Sequence, residues 1–405
     1  MNFDGKINVL LIIPNFGLGG AQRSFSKLVR WLSEKYEVTV VVFDKAFENL
    51  YPHNTEVRLL GNVSPKNLAG KTFNFFKRKK RLNKIKKEIH PDISISFLEG
   101  ADYLNLTSGA EKKIVSIRGS KQYDPHIKGI QGWIRKKILI LRFYKKADVI
   151  VTVSKGLEYE IKTNYPSLQK KITTIPNGFE LKNSLPVKSG GEKYFLLTWM
   201  GRFSDEKGLS ELLEIFKQLR FSDGSFRLLL IGEGALKNEI KKFAADNHFR
   251  LIEQEDFSVT AFPETDIILH QTKNDPSSIL SQTDLFLLTS PSEGFPNVIV
   301  EAMIAGIPVV STDCPWGPRE VLQSGLSYEK NIDYPFYAEA GILMPVFESK
   351  NRDKIIEMWV TVITELRKNT SLLQQYRIRG IERCREYDEE LIKQSWYNLI
   401  EGLVA

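Results

Sequence analysis

The sequence predicts an α/β protein of two doubly wound domains, each a parallel sheet covered by helices on both faces. Three observations carry that expectation. Short, continuous apolar runs alternate with stretches of helical spacing along all 405 residues. The alternation comes in two blocks, broken by Asn183-Ser-Leu-Pro-Val-Lys-Ser-Gly-Gly-Glu-Lys193, a segment that reads as a linker. The chain is also too long for one ordinary core and fits two domains of roughly 190 residues.

In the first block, strands are expected near Ile7–Pro14, Val38–Phe43, Val57–Leu60, Ile93–Phe97, Ile114–Ile117 and Val149–Ser154. A helix over Ala21–Lys35 separates the first two. In the second block they fall near Tyr194–Met200, Arg227–Ile231, Ile267–His270, Leu285–Thr289 and Val309–Thr312. Such uniformly apolar runs suit strands buried on both faces. From about residue 350 the pattern is helical and closes in Trp396-Tyr-Asn-Leu-Ile400. The expected division is 1–185, 186–380 and a final helical segment, 381–405.

Composition narrows the class. No secretory leader is expected ahead of the first strand run, and no uninterrupted apolar stretch reaches the roughly 18 residues that cross a bilayer. Cys314 and Cys384 offer neither a disulfide framework nor metal spacing, so a reducing cytoplasm is the expected home. The net charge of +8 hides an asymmetry: residues 1–185 hold 33 Lys and Arg against 16 Asp and Glu (+17), leaving −9 for the rest. The bases concentrate in Lys77-Arg-Lys-Lys-Arg-Leu-Asn-Lys-Ile-Lys-Lys87 and Arg135-Lys-Lys-Ile-Leu-Ile-Leu-Arg-Phe-Tyr-Lys-Lys146. The second run is interleaved with apolar residues as in an amphipathic helix. It suits an anionic membrane surface, a solvated helix packed by its apolar face, or a polyanion. The asymmetry of a whole domain favours an anionic surface, and no nucleic acid is expected.

The densest chemical signal is Ser290-Pro-Ser-Glu-Gly-Phe-Pro-Asn-Val-Ile-Val-Glu301. It places Glu293 and Glu301 eight residues apart where an apolar strand turns into a helix. The spacing sets Glu293 at the helix entrance and Glu301 about two turns along. The amides after Glu293 suit a phosphate, and the flanking carboxylates suit hydroxyl groups at both ends of such a ligand. A nucleotide sugar has that form. Two glutamates alone read equally as a solvated helix face. Three glycine-bearing loops follow strands: Gly17-Leu-Gly-Gly20, Gly201-Arg-Phe-Ser-Asp-Glu-Lys-Gly208 and Ile231-Gly-Glu-Gly234. The first suits an anion or close packing. The second carries Arg202 and Lys207, which converge on one diphosphate or are surface bases. The third is a weak Rossmann-like signal.

Taken together, Gly-Gly-Ala-Gln-Arg (19–23), Ile-Pro-Asn-Gly (175–178), Gly-Arg-Phe-Ser-Asp-Glu-Lys-Gly (201–208), Ile-Gly-Glu-Gly (231–234) and Glu-x7-Glu (293–301) resemble, in the same order, the family 4 retaining glycosyltransferases. The resemblance implies the GT-B architecture: two Rossmann-like domains across a cleft, with the C-terminal helix returning to the N-terminal, acceptor-binding domain. It implies that Arg202 and Lys207 neutralise the donor diphosphate and that Glu293 contacts the transferred sugar. Gly294 and the amides around Phe295, Pro296 and Asn297 would support sugar and phosphate, and Glu301 would bind the ribose. Gly19 and Gly20 would close the cleft, with the nucleobase near Leu269, His270 and Gln271. Cys314-Pro-Trp-Gly-Pro-Arg-Glu-Val-Leu322 resembles the segment of members that use UDP-sugars for cell-surface polysaccharides, which makes UDP the expected nucleotide. Where many relatives carry a histidine, this chain has Ser116-Ile-Arg-Gly-Ser120, leaving Arg118 as a sugar or acceptor contact or a structural base.

No Asp-x-Asp pair occurs, so no metal and no cofactor beyond the nucleotide-sugar co-substrate are expected. The expected activity is transfer of a hexose or N-acetylhexosamine to a lipid-linked or polysaccharide acceptor, on the inner face of the cell membrane. A sugar-nucleotide epimerase or hydrolase, and a nonenzymatic polyanion-binding protein, are the competing readings.

Overall fold

The computed structural model describes residues 6–17, 19–43, 55–61, 68–123, 129–181, 194–254, 264–271 and 277–405. The expected linker at 183–193 lies outside them. The chain divides into two units, Met1–Gly178 with Glu389–Ala405, and Phe179–Asp388.

The first unit runs β1 (Asn8–Ile13), α1 (Gly20–Ser33), β2 (Glu37–Val42), β3 (Val57–Leu59), α2 (Leu68–Ile89), β4 (Ile93–Phe97), α3 (Glu99–Leu106), β5 (Lys112–Ile117), α4 (Gly129–Ile134), α5 (Ile140–Tyr144), β6 (Val149–Thr152), α6 (Lys155–Asn164) and β7 (Ile172–Thr174). Its seven strands lie in the order β3-β2-β1-β4-β5-β6-β7, all parallel. The uniform apolar runs are explained by β1, whose alternate side chains enter two cores. Leu11 and Ile13 join Phe25, Leu28 and Trp31 of α1 on one face. Leu10 and Ile12 join Leu82, Ala101 and Leu104 on the other.

The second unit runs β8 (Phe195–Met200), α7 (Leu209–Ser222), β9 (Phe226–Ile231), α8 (Lys237–Asp246), β10 (Leu251–Gln254), β11 (Ile267–His270), α9 (Ser277–Leu280), β12 (Leu285–Leu288), α10 (Asn297–Ile304), β13 (Val309–Thr312), α11 (Pro318–Leu322), β14 (Phe336–Tyr337), β15 (Ile342–Met344), α12 (Arg352–Lys368) and α13 (Thr370–Cys384). The strand order is β10-β11-β9-β8-β12-β13-β15-β14, with only β14 antiparallel to its neighbour. Leu197, Trp199, Leu228 and Leu230 meet Phe216 of α7 and Trp359 of α12 in its core.

The last helix, α14 (Glu389–Val404), belongs to the first unit. Trp396, Tyr397 and Ile400 enter the core beside Trp31. Glu389 accepts hydrogen bonds from the Trp31 indole at 2.8 Å and from Lys27 at 3.4 Å. The returning segment is thus 389–405 rather than 381–405, and the first crossing falls at 178/179 rather than 185/186. Backbone pairing sets both positions: Phe179 bridges Asp388, and its N–H donates to the Tyr387 carbonyl at 2.8 Å.

The second basic run departs from one amphipathic α-helix. Between α4 and α5 the turns widen to a π-helix over Arg135–Leu139. Arg135 is buried and donates from Nε to both Glu99 oxygens at 2.8 Å. In the first run Lys86 is buried too, bonded to Asn105 at 2.8 Å and paired with Glu111. Both bases hold the fold rather than face solvent. Among the described residues no helix is long and apolar enough to cross a membrane.

Candidate functional site

Parallel α/β sheets bind ligands beyond the carboxyl ends of their strands. In the second unit three loops meet there, and backbone geometry fixes each. After β8 the chain makes a 3-10 turn over Asp205–Lys207 and enters α7 through Gly208, at φ 66°. A Cβ on Gly208 would lie 2.1 Å from the Thr289 carbonyl oxygen, so only glycine lets this turn press against the end of β12. That approach brings the Lys207 Nζ to 2.7 Å from Glu293 Oε1, across 86 residues of sequence. Burial disfavours the Lys207 ammonium, but Glu293 outweighs it and the pKa lies above the ordinary lysine value. Arg202 stays open, its guanidinium 3.5 Å from Glu206.

The glycines of the third loop have a packing role. Gly232 and Gly234, at φ 150° and 157°, approach the carbonyls of Gly201 and Phe203 too closely for any Cβ. The Phe203 N–H donates to the Glu233 carbonyl at 2.9 Å. This loop props the Arg202 loop, which is the physical content of the weak Rossmann-like signal.

Glu293 stands in the loop before α10 rather than at the first turn itself; the helix begins at Asn297, so Glu301 lies about one turn inside. Pro296 delays the start, as the non-helical cap residue. The Glu293 N–H donates to the Pro315 carbonyl, and the Trp316 N–H donates back to the Glu293 carbonyl, both at 2.8 Å. Sequence reading missed this clamp, although Cys314-Pro-Trp-Gly317 was its signal. Gly317, at φ 108°, closes it, since a Cβ there would sit 2.4 Å from Pro296 Cδ and 3.5 Å from the Gly294 oxygen. Phe295 is buried between the Phe179 ring at 6.3 Å and the edge of Tyr387 at 5.3 Å. His270 ends β11 buried, its carbonyl taken by the Gly232 N–H at 2.9 Å, whereas Gln271 is exposed.

Arg202, Lys207, His270, Gln271, Glu293, Gly294, Phe295, Pro296, Asn297 and Glu301 therefore all belong to the second unit, and the structure joins Lys207 directly to Glu293. Gly19, Gly20 and Arg118 belong to the first. Gly20 opens α1, and the Gln22 amide covers the space beside Gly19. Arg118 follows β5 and stacks on Phe97, 4.6 Å from the ring centroid. Chemically, the second unit presents Arg202, Lys207 and Glu293 on glycine-tightened loops and Glu301 in the first turns of α10. That arrangement can neutralise a diphosphate and accept hydrogen bonds from hydroxyl groups on either side.

Comparison with known proteins agrees in extent with the two units. Residues 18–183 match the family described as Glycosyltransferase Family 4, and residues 194–350 match Glycosyl transferases group 1. The chain is 27% identical over 399 residues to an uncharacterized glycosyltransferase of Methanocaldococcus jannaschii, covering 90% of this chain and 95% of that one. It is 25% identical over 319 residues to the N-acetylgalactosamine-N,N'-diacetylbacillosaminyl-diphospho-undecaprenol 4-alpha-N-acetylgalactosaminyltransferase of Campylobacter jejuni, covering 77% and 82%. In fold it resembles Anabaena HepE, solved in complex with UDP, with a TM-score of 0.73 at 16% identity over 98% of this chain and 100% of that one.

Proposed function

The chain belongs to the family 4 glycosyltransferases of GT-B fold, and on that premise we propose the reaction it carries out. It transfers a sugar from a nucleotide-sugar donor to a polysaccharide or lipid-linked acceptor. The donor is UDP-linked, the transferred group is a hexose or N-acetylhexosamine, and the acceptor nucleophile is a hydroxyl. The observation that carries this reading is the Lys207–Glu293 contact at 2.7 Å, which joins a phosphate-neutralising cation to a sugar-binding carboxylate.

Arg202 and Lys207 hold the diphosphate, Arg202 as a fork and Lys207 as a point charge. Lys207 remains protonated at neutral pH because Glu293 favours its ammonium. Their field acts where charge develops on the departing phosphate. Glu293 accepts from hydroxyls of the transferred sugar and Glu301 from those of the ribose. The bond from the acceptor oxygen to the anomeric carbon forms on the face from which the phosphate leaves. The departing β-phosphate oxygen takes the acceptor's proton, and anomeric configuration is retained. The two cations supply the charge a divalent ion would otherwise bring, so the reaction is metal-independent and proceeds in chelator. Proton NMR of the product anomer tests the stereochemistry; an inverted product rules the scheme out.

The reading of the donor site is tested by calorimetric titration with UDP, GDP and ADP, repeated on Arg202→Ala and Glu301→Ala. UDP-selective binding lost in both variants supports it, and no binding of any nucleotide refutes it.

The first unit works at the inner face of the cell membrane. Phe73, Lys77, Lys80, Lys84 and Lys87 are exposed at helical spacing along α2, with Phe76 exposed beside them. Trp133, Ile134, Lys137 and Ile138 are exposed where α4 meets the π-turn. Aromatic groups among lysines suit an anionic lipid surface.

A further inference from the structure

The first unit contains a pocket that the donor scheme does not use. It is lined by Ser24, Lys27 and Trp31 of α1, Phe97 at the end of β4, Arg118 just past β5, and Asn177. Strand order in this sheet reverses between β1 and β4, and such switch points are where open α/β sheets take ligands. Its innermost space is about 10 Å³, close to one water-sized sphere, enough for one oxygen of an anionic group whose remainder stays at the open mouth.

Its charge is unbalanced. Arg118 donates to Ser116 Oγ at 3.3 Å and to Asn177 Oδ1, both neutral, and lies over the Phe97 ring. Among the described residues no carboxylate pairs with it. Burial alone works against its charged form, yet a guanidinium stays protonated in proteins. Lys27 donates to the Gly178 carbonyl at 2.9 Å and reaches Glu389 at 3.4 Å. That carboxylate also serves Arg30 and the Trp31 indole. One carboxylate thus serves two cations, Lys27 and Arg30, and among the described residues none serves Arg118, whose charge away from solvent is costly.

We propose that the Arg118–Lys27 pocket is an oxyanion subsite that receives one phosphate or carboxylate group of the glycosyl substrates. Resting on the transferase reading above, it makes one substrate anionic beyond the donor diphosphate. An acceptor phosphate and a uronate sugar on the donor present the same oxygen chemistry.

The test is calorimetric titration of the full-length protein with inorganic phosphate, with glucuronate and with glucose. Both anions are expected to bind, and glucose at the same concentration is not. Arg118→Gln weakens anion binding at least tenfold, whereas Arg142→Gln, which removes an exposed base of the same unit, leaves it unchanged. Should Arg118→Gln fail to fold, Lys27→Gln carries the same expectation. Displacement of bound phosphate by a phosphorylated acceptor assigns the anion to the acceptor, and displacement by UDP-glucuronate but not UDP-glucose assigns it to the donor sugar. Failure of both anions to bind, or equal weakening in Arg142→Gln, overturns the subsite while leaving UDP binding and the transferase reading intact. Loss of UDP binding alone would instead remove the transferase reading.

Discussion

Lys207 illustrates how a single side chain is aimed by backbone it does not touch. Gly208 must press on Thr289 before the ammonium can reach Glu293. Lys207→Ala removes a charge that acts mainly as the leaving group departs, so kcat/KM for transfer should fall by about 10²–10³-fold. A rise in KM with kcat little changed would instead make Lys207 a binding residue. A second residue sets a pH dependence. Asp102 is fully buried, accepting from Ser96 Oγ at 2.8 Å and Tyr144 OH at 2.6 Å. Burial pushes its carboxyl up to about 7, against the pull of Lys121, Tyr144 and Ser96. The unfolded value is about 3.9, so the folded chain binds the proton more tightly. The stability this contributes is complete below about pH 4 and is lost as pH rises through 7. In Asp102→Asn, the fall in unfolding free energy between those pH values should flatten, as measured by urea titration. Glu99 has the opposite sign: Lys121, Arg135 and Tyr103 outweigh its burial and hold it at about 2. Because Glu99 remains in both proteins, the difference between their profiles reports Asp102.

At the scale of elements, the loop ahead of α10 is held by a second loop rather than by its own helix. Gly317→Ala would place a methyl against Pro296 and force a left-handed backbone on alanine. The clamp on Glu293 should loosen, and kcat/KM should drop roughly tenfold, since small misplacements of positioning groups are costly. A Glu293→Gln enzyme with the same loss in both Gly317 backgrounds would show that the clamp does not act through Glu293. Most strands of both sheets were legible because burial on two faces selects apolar runs, as in Asn8–Ile13 and Leu285–Leu288. Ile172–Thr174 and Leu251–Gln254 escaped because an edge position tolerates Thr, Glu and Gln, and Phe336–Tyr337 and Ile342–Met344 because two or three residues are too short to show a pattern. Glu293, Lys207 and Glu301 were visible as motifs. The pairing of Lys207 with Glu293 was not, because it depends on Gly208 meeting a carbonyl in a distant strand. Composition likewise gave the basic character of residues 77–87 and 135–146 but not that Lys86 and Arg135 turn inward to Glu111 and Glu99.

Across the whole molecule, charge is divided by unit, and the basic one exposes Phe73, Phe76 and Trp133 among its lysines. Sedimentation with vesicles should show binding to anionic lipid that falls several-fold in Phe73→Ser/Trp133→Ser and with added salt. Equal binding to neutral vesicles would exclude the electrostatic component. The helix α14 closes the first unit's core with Trp396 and Ile400, yet the chain reaches it only after residues 179–388. On the ribosome, the unit whose translation starts first must therefore wait for the whole of the other before its last core layer arrives. During that interval Trp31, Leu28 and Phe25 lack their covering helix, so nascent chains stalled before residue 389 are the species most in need of a chaperone.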